Sequence, residues 1–319
     1  MTKYLIILLS IFTSLSSFAW VTEEDMDGDF YPIAKQLEFA NRASDPPIVI
    51  RSFIDLAPKK RIKPARKIIH VPKITKEKLK IMVIDTGVSN HLFLIPWLKY
   101  SPKDDDTSKD SYHVGHGTHV AGIIAYGPMN NMSTVRSNEL CSDVEIIPCK
   151  AFIDKKQSKV DPLFSCLDKA IKMKVDVINY SGGGDQPLPH ELRAWRKFVK
   201  TGGLIVMAAG NNGSDLTKSK FYPASWGVKD KKGKIALKHA YVVSSLDDDG
   251  FVSRSSDYAP DAIYEKGSMI ISTYPNNKFE TLSGTSMAAP VFTHKIAKSF
   301  CQTKLARQSK KTITKVANK

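Results

Sequence analysis

Three short, largely apolar runs constrain the fold of this chain more than any other feature. They are residues 80–85, 175–180 and 204–209, and each leads into a glycine-containing turn signal. Apolar runs of this length are typical of strands buried on both faces, as in parallel sheets. Residues 163–174 carry apolar residues at helical spacing, and residues 188–200 are also predicted to be helical. This alternation predicts an α/β fold of three layers, with a mostly parallel central sheet.

A further strand is predicted over residues 145–152, although it contains Pro148. Proline cannot donate a ladder hydrogen bond, so this strand must be an edge strand or contain a bulge.

Polar residues follow two of the apolar runs. Asp85 ends the first run, and Asn211 follows the run at 204–209. Open α/β sheets bind their ligands at the carboxyl ends of the strands, so both side chains are candidates for a site there. Taken singly, each residue also fits an ordinary turn, where Asp and Asn are common.

His116 is a candidate general base. It stands between Gly115 and Gly117, which leave its imidazole uncovered, and His119 follows one helical turn later. The two histidines lack the H-E-x-x-H spacing of a zinc site. Neutral imidazole acting as a general base fits better.

Ser286 is a candidate nucleophile. It lies among small residues in the segment 284–290, Gly-Thr-Ser-Met-Ala-Ala-Pro, and a helix is predicted just after it. A serine hydroxyl needs a base to remove its proton and donors to stabilise the oxyanion. The start of a helix supplies backbone N–H groups for the second task. Alone, this segment also fits a helix cap.

Together the four segments resemble the subtilase family of serine endopeptidases, and the order Asp, His, Ser is that of the subtilisin class. The resemblance covers about residues 75–300 and rests on the motifs 83–87 (Val-Ile-Asp-Thr-Gly), 116–122 (His-Gly-Thr-His-Val-Ala-Gly), 208–211 (Ala-Ala-Gly-Asn) and 284–290. It implies a subtilisin-like fold and peptide hydrolysis through an acyl-enzyme. It makes Ser286 the nucleophile, His116 the base and Asp85 its orienting carboxylate. Asn211 and the Ser286 N–H would form the oxyanion hole, and His119 would be structural.

The resemblance also assigns substrate-binding residues. In subtilases the corresponding strand pairs with an extended polypeptide substrate, and its glycines line the pocket for the residue before the cut. The residues at these positions in this chain are Ser181, Gly182 and Gly183. The family commonly has a larger residue in place of Gly182, so a wider or reshaped pocket is expected. A mobile glycine-rich loop is the alternative.

The chain departs from the family pattern in two places. The helix after Ser286 is unusually polar at residues 291–298, and Glu265-Lys266-Gly267 replaces the usual Ala-Pro-Gly. The polar helix and the lack of a recognisable prodomain favour an alternative to an endopeptidase, a catalytically weak or inactive subtilase fold that binds peptides.

No cofactor is needed for the predicted chemistry, and no catalytic metal is expected. Residues 128–143 replace a loop that binds calcium in many relatives. Oxygen ligands could come from Asn130, Asn131 and Asp104–Asp106. The sequence therefore allows a structural calcium ion but does not assign its site.

The N-terminus predicts export. Lys3, the apolar run 4–15 and Ser17-Phe18-Ala19 are typical of a signal peptide over residues 1–19, cleaved near Ala19. Residues 20–60 are interpreted as a short acidic arm or a reduced prosegment, 61–305 as the peptidase domain and 306–319 as a basic tail. No other run could span a membrane, so a secreted or periplasmic protein is expected.

Cysteine and charge content leave two questions. The four cysteines, Cys141, Cys149, Cys166 and Cys301, allow three disulfide pairings or four buried thiols, and the sequence does not choose. The net charge of +15 would suit an anionic partner. However, no nucleic-acid-binding motif accompanies this charge, so we expect no specific nucleic-acid partner. We also expect a monomer.

Overall fold

The computed structural model describes residues 62–64, 74, 76–99, 115–129, 139–152 and 162–317. The predictions of a signal peptide and an arm, and the possible calcium ligands Asp104–Asp106, Asn130 and Asn131, lie outside the described residues. None of the described helices is both long enough and apolar enough to cross a membrane.

The central sheet has six strands, all parallel, in the order β2-β1-β3-β4-β5-β6. They are β1 Leu79–Asp85, β2 Val144–Lys150, β3 Val177–Tyr180, β4 Leu204–Ala208, β5 Ala240–Leu246 and β6 Ile263–Lys266. A separate antiparallel pair consists of β7 Ile270–Tyr274 and β8 Lys278–Leu282. The helices are α1 His116–Tyr126, α2 Pro162–Lys172, α3 Glu191–Val199, α4 Ala224–Gly227 and α5 Thr285–Ala317.

Strand β2 is at the edge of this sheet, where Pro148 is tolerated because its missing N–H breaks no ladder. The strand ends at Lys150, so Ala151 and Phe152, which the sequence placed in it, lie beyond it.

Alternate residues of the strands face two different helical layers. Ile81 and Val83 of β1 belong to one apolar core with α1 and α5, whereas Met82 and Ile84 belong to a second core with α2 and α3. A strand that is buried on both faces has no polar alternation, which explains the continuous apolar runs. The predicted three-layer, mostly parallel α/β fold is confirmed.

Helix α5 begins at Thr285, so Ser286 is its second residue rather than the residue before it. The helix also runs without a break through residues 306–317, which the sequence set apart as a tail. Its first three turns bury apolar side chains such as Phe292, each worth about 1.5–3 kcal/mol. Burial therefore fixes the end of the helix that carries Ser286.

Candidate active site

Asp85 and His116 meet at the carboxyl end of β1. The buried Asp85 Oδ1 accepts a hydrogen bond from His116 Nδ1 at 2.7 Å and one from the Thr86 backbone N–H at 2.7 Å. The imidazole is 25% exposed. When the imidazole is neutral, donation by Nδ1–H leaves its lone pair on Nε2, the tautomer that a general base requires.

The glycine after His116 allows this close approach. A Cβ on Gly117 would lie 2.0 Å from the Gly87 carbonyl oxygen and 3.1 Å from Asp85 Cβ. The Gly117 N–H instead donates to the Thr86 hydroxyl at 3.0 Å. Only glycine lets α1 begin this near to the end of β1.

His119 lies in the interior rather than at the site. Its Nε2–H lies 3.1 Å from the Ile270 carbonyl and 3.0 Å from the Glu280 carbonyl, tying α1 to β7 and β8. Burial lowers its pKa to about 4, so it is neutral near pH 7. These contacts support the prediction that His119 is structural.

Ser286 is tied to Ser181 of the predicted substrate strand. The Ser286 hydroxyl donates to the Ser181 carbonyl at 3.3 Å, and the Ser181 hydroxyl donates to the Ser286 carbonyl at 3.0 Å. That carbonyl lacks its usual helical donor because Pro290, four residues on, has no N–H. The Ser181 hydroxyl thus replaces the bond that the proline removes.

Asn211 is oriented by the residue before Ser286. Its Oδ1 accepts from the Thr285 backbone N–H at 3.0 Å and from the Thr285 hydroxyl at 3.1 Å. Within the described part of the chain, neither the Asn211 amide N–H₂ nor the Ser286 backbone N–H donates a hydrogen bond. Two unengaged donors next to a serine are what an oxyanion hole requires.

Asp257 is a supporting residue that the sequence analysis missed. The buried carboxylate accepts from the backbone N–H groups of Asn212 (3.1 Å) and Ser214 (2.7 Å), and the Asp257 N–H donates to the Gly210 carbonyl at 2.8 Å. It therefore holds both sides of the turn that carries Asn211. Burial, the largest influence, raises its pKa. No local signal marks Asp257, because it lies about 45 residues beyond the turn.

The predicted substrate-binding segment is reshaped by an aromatic ring. A Cβ on Gly182 would lie 2.2 Å from the tip of the Phe152 ring, which stacks on Tyr180. Of the two expectations at Gly182, a wider or a reshaped pocket, these contacts favour a reshaped one, because Phe152 occupies the space that a larger residue would fill. Gly184 and Tyr222 exchange two backbone hydrogen bonds at 2.9 and 2.7 Å, which fixes the end of the segment.

The three polar residues 293–295 of α5 each have a partner on another element. Thr293 donates to the Asn179 side-chain oxygen at 2.8 Å, and Asn179 Nδ2 donates in turn to the Ser181 hydroxyl at 3.2 Å. His294 Nδ1 lies 2.9 Å from the Ile124 carbonyl, and burial lowers its pKa to about 4. The polarity of the helix is thus accounted for by specific partners.

The two departures from the family pattern contact each other. Lys295 of α5 donates to both carboxylate oxygens of Glu265 at 2.7 Å. The carboxylate is buried, whereas the lysine is about half exposed. Burial raises the Glu265 pKa and Lys295 opposes that shift.

Both pairs of cysteines form disulfides. Cys141–Cys301 joins the segment before β2 to α5, and Cys149–Cys166 joins β2 to α2. Of the alternatives that the sequence left open, buried thiols are thereby ruled out.

No calcium site can be assigned from the described residues. They contain no group of three or more Asp, Glu, His or Cys side chains that could hold a metal ion. A surface groove of about 300 Å³ between α2 and α3 contains none of the predicted site residues either. The predicted site residues lie instead at the carboxyl edge of the sheet.

Comparisons with known proteins show which family this chain belongs to. The chain is 31% identical over 227 residues to the Major intracellular serine protease of Bacillus subtilis, covering 67% of this chain and 66% of that protein. It is 31% identical over 221 residues to the Minor extracellular protease Epr of Bacillus subtilis, covering 68% and 31%. It thus spans less than two thirds of either relative.

A solved structure described as a cold adapted subtilisin-like serine proteinase shares the fold, with a TM-score of 0.54 and 22% identity over 75% of this chain and 81% of that one. The sequence model of the subtilase family, Peptidase_S8, matches residues 76–316. The chain is a member of the subtilase family.

Proposed function

We propose that this chain is a serine endopeptidase that cleaves extended polypeptides through an acyl-enzyme intermediate. Ser286 is the nucleophile, His116 the general base, Asp85 the orienting carboxylate, and Asn211 an oxyanion donor. The observation that carries the proposal is the 2.7 Å bond between Asp85 and His116, because it selects the base tautomer at the sheet edge where Ser286 also lies.

The reaction follows from these groups. The Ser286 hydroxyl turns from the Ser181 carbonyl toward the imidazole, and His116 Nε2 takes its proton as Oγ attacks the substrate carbonyl carbon. The oxyanion accepts hydrogen bonds from the Asn211 amide and the Ser286 N–H. Collapse breaks the C–N bond, and the leaving amine takes the proton from the imidazolium. Water then cleaves the ester by the same steps, restoring the serine.

Secretion or export to the periplasm accompanies this activity in our proposal. Two disulfides are typical of proteins in oxidising compartments. The predicted signal peptide supports the same location. The relatives include both an intracellular and an extracellular protease, so family membership does not decide location. Recovery of protein lacking residues 1–19 from outside the cytoplasm would support export; retention of full-length protein inside would contradict it.

The alternative, a catalytically weak or inactive peptide-binding module, rests in part on the polar helix after Ser286. The partners of Thr293, His294 and Lys295 weaken that part of the argument, because they anchor the helix rather than disturb it.

Labelling with a fluorophosphonate separates the two functions. Wild-type protein should be labelled, after any processing, and Ser286→Ala and His116→Ala should not. No labelling of the folded wild type would contradict the proposal and favour the binding module. Labelling of Ser286→Ala at the wild-type rate would contradict the assignment of Ser286 as the nucleophile.

A further inference from the structure

Two glycine-bearing segments converge on the predicted reaction centre. One continues from Ser181, whose carbonyl accepts from the Ser286 hydroxyl, to Gly183. The other contains Gly210, which directly precedes Asn211. The Gly210 N–H donates a hydrogen bond to the Thr285 hydroxyl oxygen at 3.2 Å. A substrate carbonyl that reaches both Ser286 and Asn211 places the residue before the cut beside both segments.

The ring of Phe221 occupies the space between these segments. A Cβ on Gly183 would lie 2.5 Å from Phe221 Cε1, and a Cβ on Gly210 would lie 2.8 Å from Phe221 Cδ1. The glycines themselves are therefore in van der Waals contact with the same ring, one with its tip and one with its base. The gap between the two segments holds one aromatic ring, which the protein itself supplies.

Phe221 is also held firmly. Its backbone N–H donates to the Ser225 hydroxyl at 2.9 Å, and the next residue, Tyr222, pairs with Gly184. The half-buried ring packs against an apolar cluster that includes Ala209 and Ala224. Moving the ring aside would expose this apolar surface to water.

We propose that Phe221 restricts the peptidase to substrates with a small side chain immediately before the cut, namely Gly, Ala or Ser. A hydrogen, methyl or hydroxymethyl group fits beside the ring, whereas a Leu, Phe or Lys side chain must displace it. This inference rests on the proposed function and adds its substrate class.

The test uses two peptide p-nitroanilides that differ only in the residue before the amide, Ala or Phe. Wild-type kcat/KM should be higher for the Ala peptide by about 10²-fold. In Phe221→Gly the ratio of kcat/KM for the Phe peptide to kcat/KM for the Ala peptide should rise by at least about tenfold. The reason is that removal of the Phe221 ring leaves room for the ring of the substrate. The matched control is Phe164→Ala on α2, which removes a partly buried ring elsewhere and should keep the wild-type ratio.

A second measurement uses only the wild-type protein, so it tests the proposal even if Phe221→Gly does not fold. New termini produced from unfolded protein substrates, identified by mass spectrometry, should follow Gly, Ala or Ser. Cuts mainly after Phe, Tyr, Leu or Lys, or equal kcat/KM for the two peptides, would overturn this inference while leaving the proposed function intact. A folded Phe221→Gly with the wild-type ratio would also overturn it. Failure of both labelling and hydrolysis would instead overturn the proposed function.

Discussion

Helices α1 and α5 carry the predicted base and the predicted nucleophile, and they pack against each other on one face of the sheet. They are stabilised in different ways. Every residue of α1 after His116 is buried, and its start is fixed by the close approach of Gly117 to the end of β1. Helix α5 combines an apolar start with polar anchors to other elements.

This difference shows how one helix can depart from its family pattern without losing its position. Helix α5 is anchored by Asn179 on β3, Ile124 on α1 and Glu265 on β6, with Cys141 attached through a disulfide. Thr293, His294 and Lys295 each have a matching partner on another element, so these departures occur in compensating pairs.

The largest expected effect is the loss of kcat when the residue that each helix contributes to the predicted site is replaced. His116→Ala on α1 and Ser286→Ala on α5 should each lower kcat by roughly 10⁴–10⁶-fold. The double variant should be no worse than about tenfold below either single one, because the two residues act as a unit. Steady-state kinetics on peptide substrates measures this. Multiplicative losses in the double variant would show that the two helices contribute independently.

The next largest effect is a loss of stability when the disulfide of α5 is removed; α1 has no disulfide. Replacing Cys141 and Cys301 by Ala opens a link across 160 residues, and the loop-entropy relation gives a loss of about 5 kcal/mol in the free energy of unfolding. The matched control, Cys149→Ala with Cys166→Ala, opens a link across 17 residues and should cost about 3 kcal/mol. Urea denaturation compares them. A larger loss in the control would contradict the expectation that the link closing the longer loop contributes more to stability.

The sequence predicted the parallel strands because burial on both faces leaves a direct apolar signature in residues 80–85 and 204–209. It also indicated the four candidate catalytic residues, since each lies within a local motif. The disulfide pairing, Asp257, Phe221 and the Glu265–Lys295 pair were not predicted. Their partners lie tens of residues away along the chain, so strand order and packing bring them together, and no local pattern records the contact.

Each helix carries one buried neutral histidine, which gives a shared pH effect. The folded-state pKa values of His119 and His294 are about 4, below the ordinary 6.5. The unfolded chain therefore binds protons first, so stability is complete above pH 6.5 and is lost as the pH falls toward 4. At most about 3 kcal/mol is expected for each group.

Urea unfolding at pH 7 and pH 4.5 measures this effect, with His294→Gln as the comparison because it retains an N–H donor without titrating in this range. The variant should lose less stability than the wild type on acidification. An equal loss in both proteins would show that His294 is not a source of the pH dependence.

The smallest effect concerns the pair that replaces the usual family residues. Lys295→Met should destabilise the protein by about 1–3 kcal/mol, since it leaves the buried Glu265 carboxylate without its partner. Adding Glu265→Gln should restore most of that loss, because the charge that needed compensation is gone. Thermal and urea unfolding of the two single variants and the double variant give the coupling. Additive losses would contradict the compensating-pair interpretation.

The most direct test of the central claim is to trap the acyl-enzyme. Purified, processed protein is mixed with a peptide ester and quenched in acid during the first turnover, and its peptides are analysed by mass spectrometry. The account predicts that the fragment containing Ser286 gains the mass of the acyl group, and that Ser286→Ala gains none. Hydrolysis of the ester with the acyl group on another residue, or unchanged in Ser286→Ala, would contradict it.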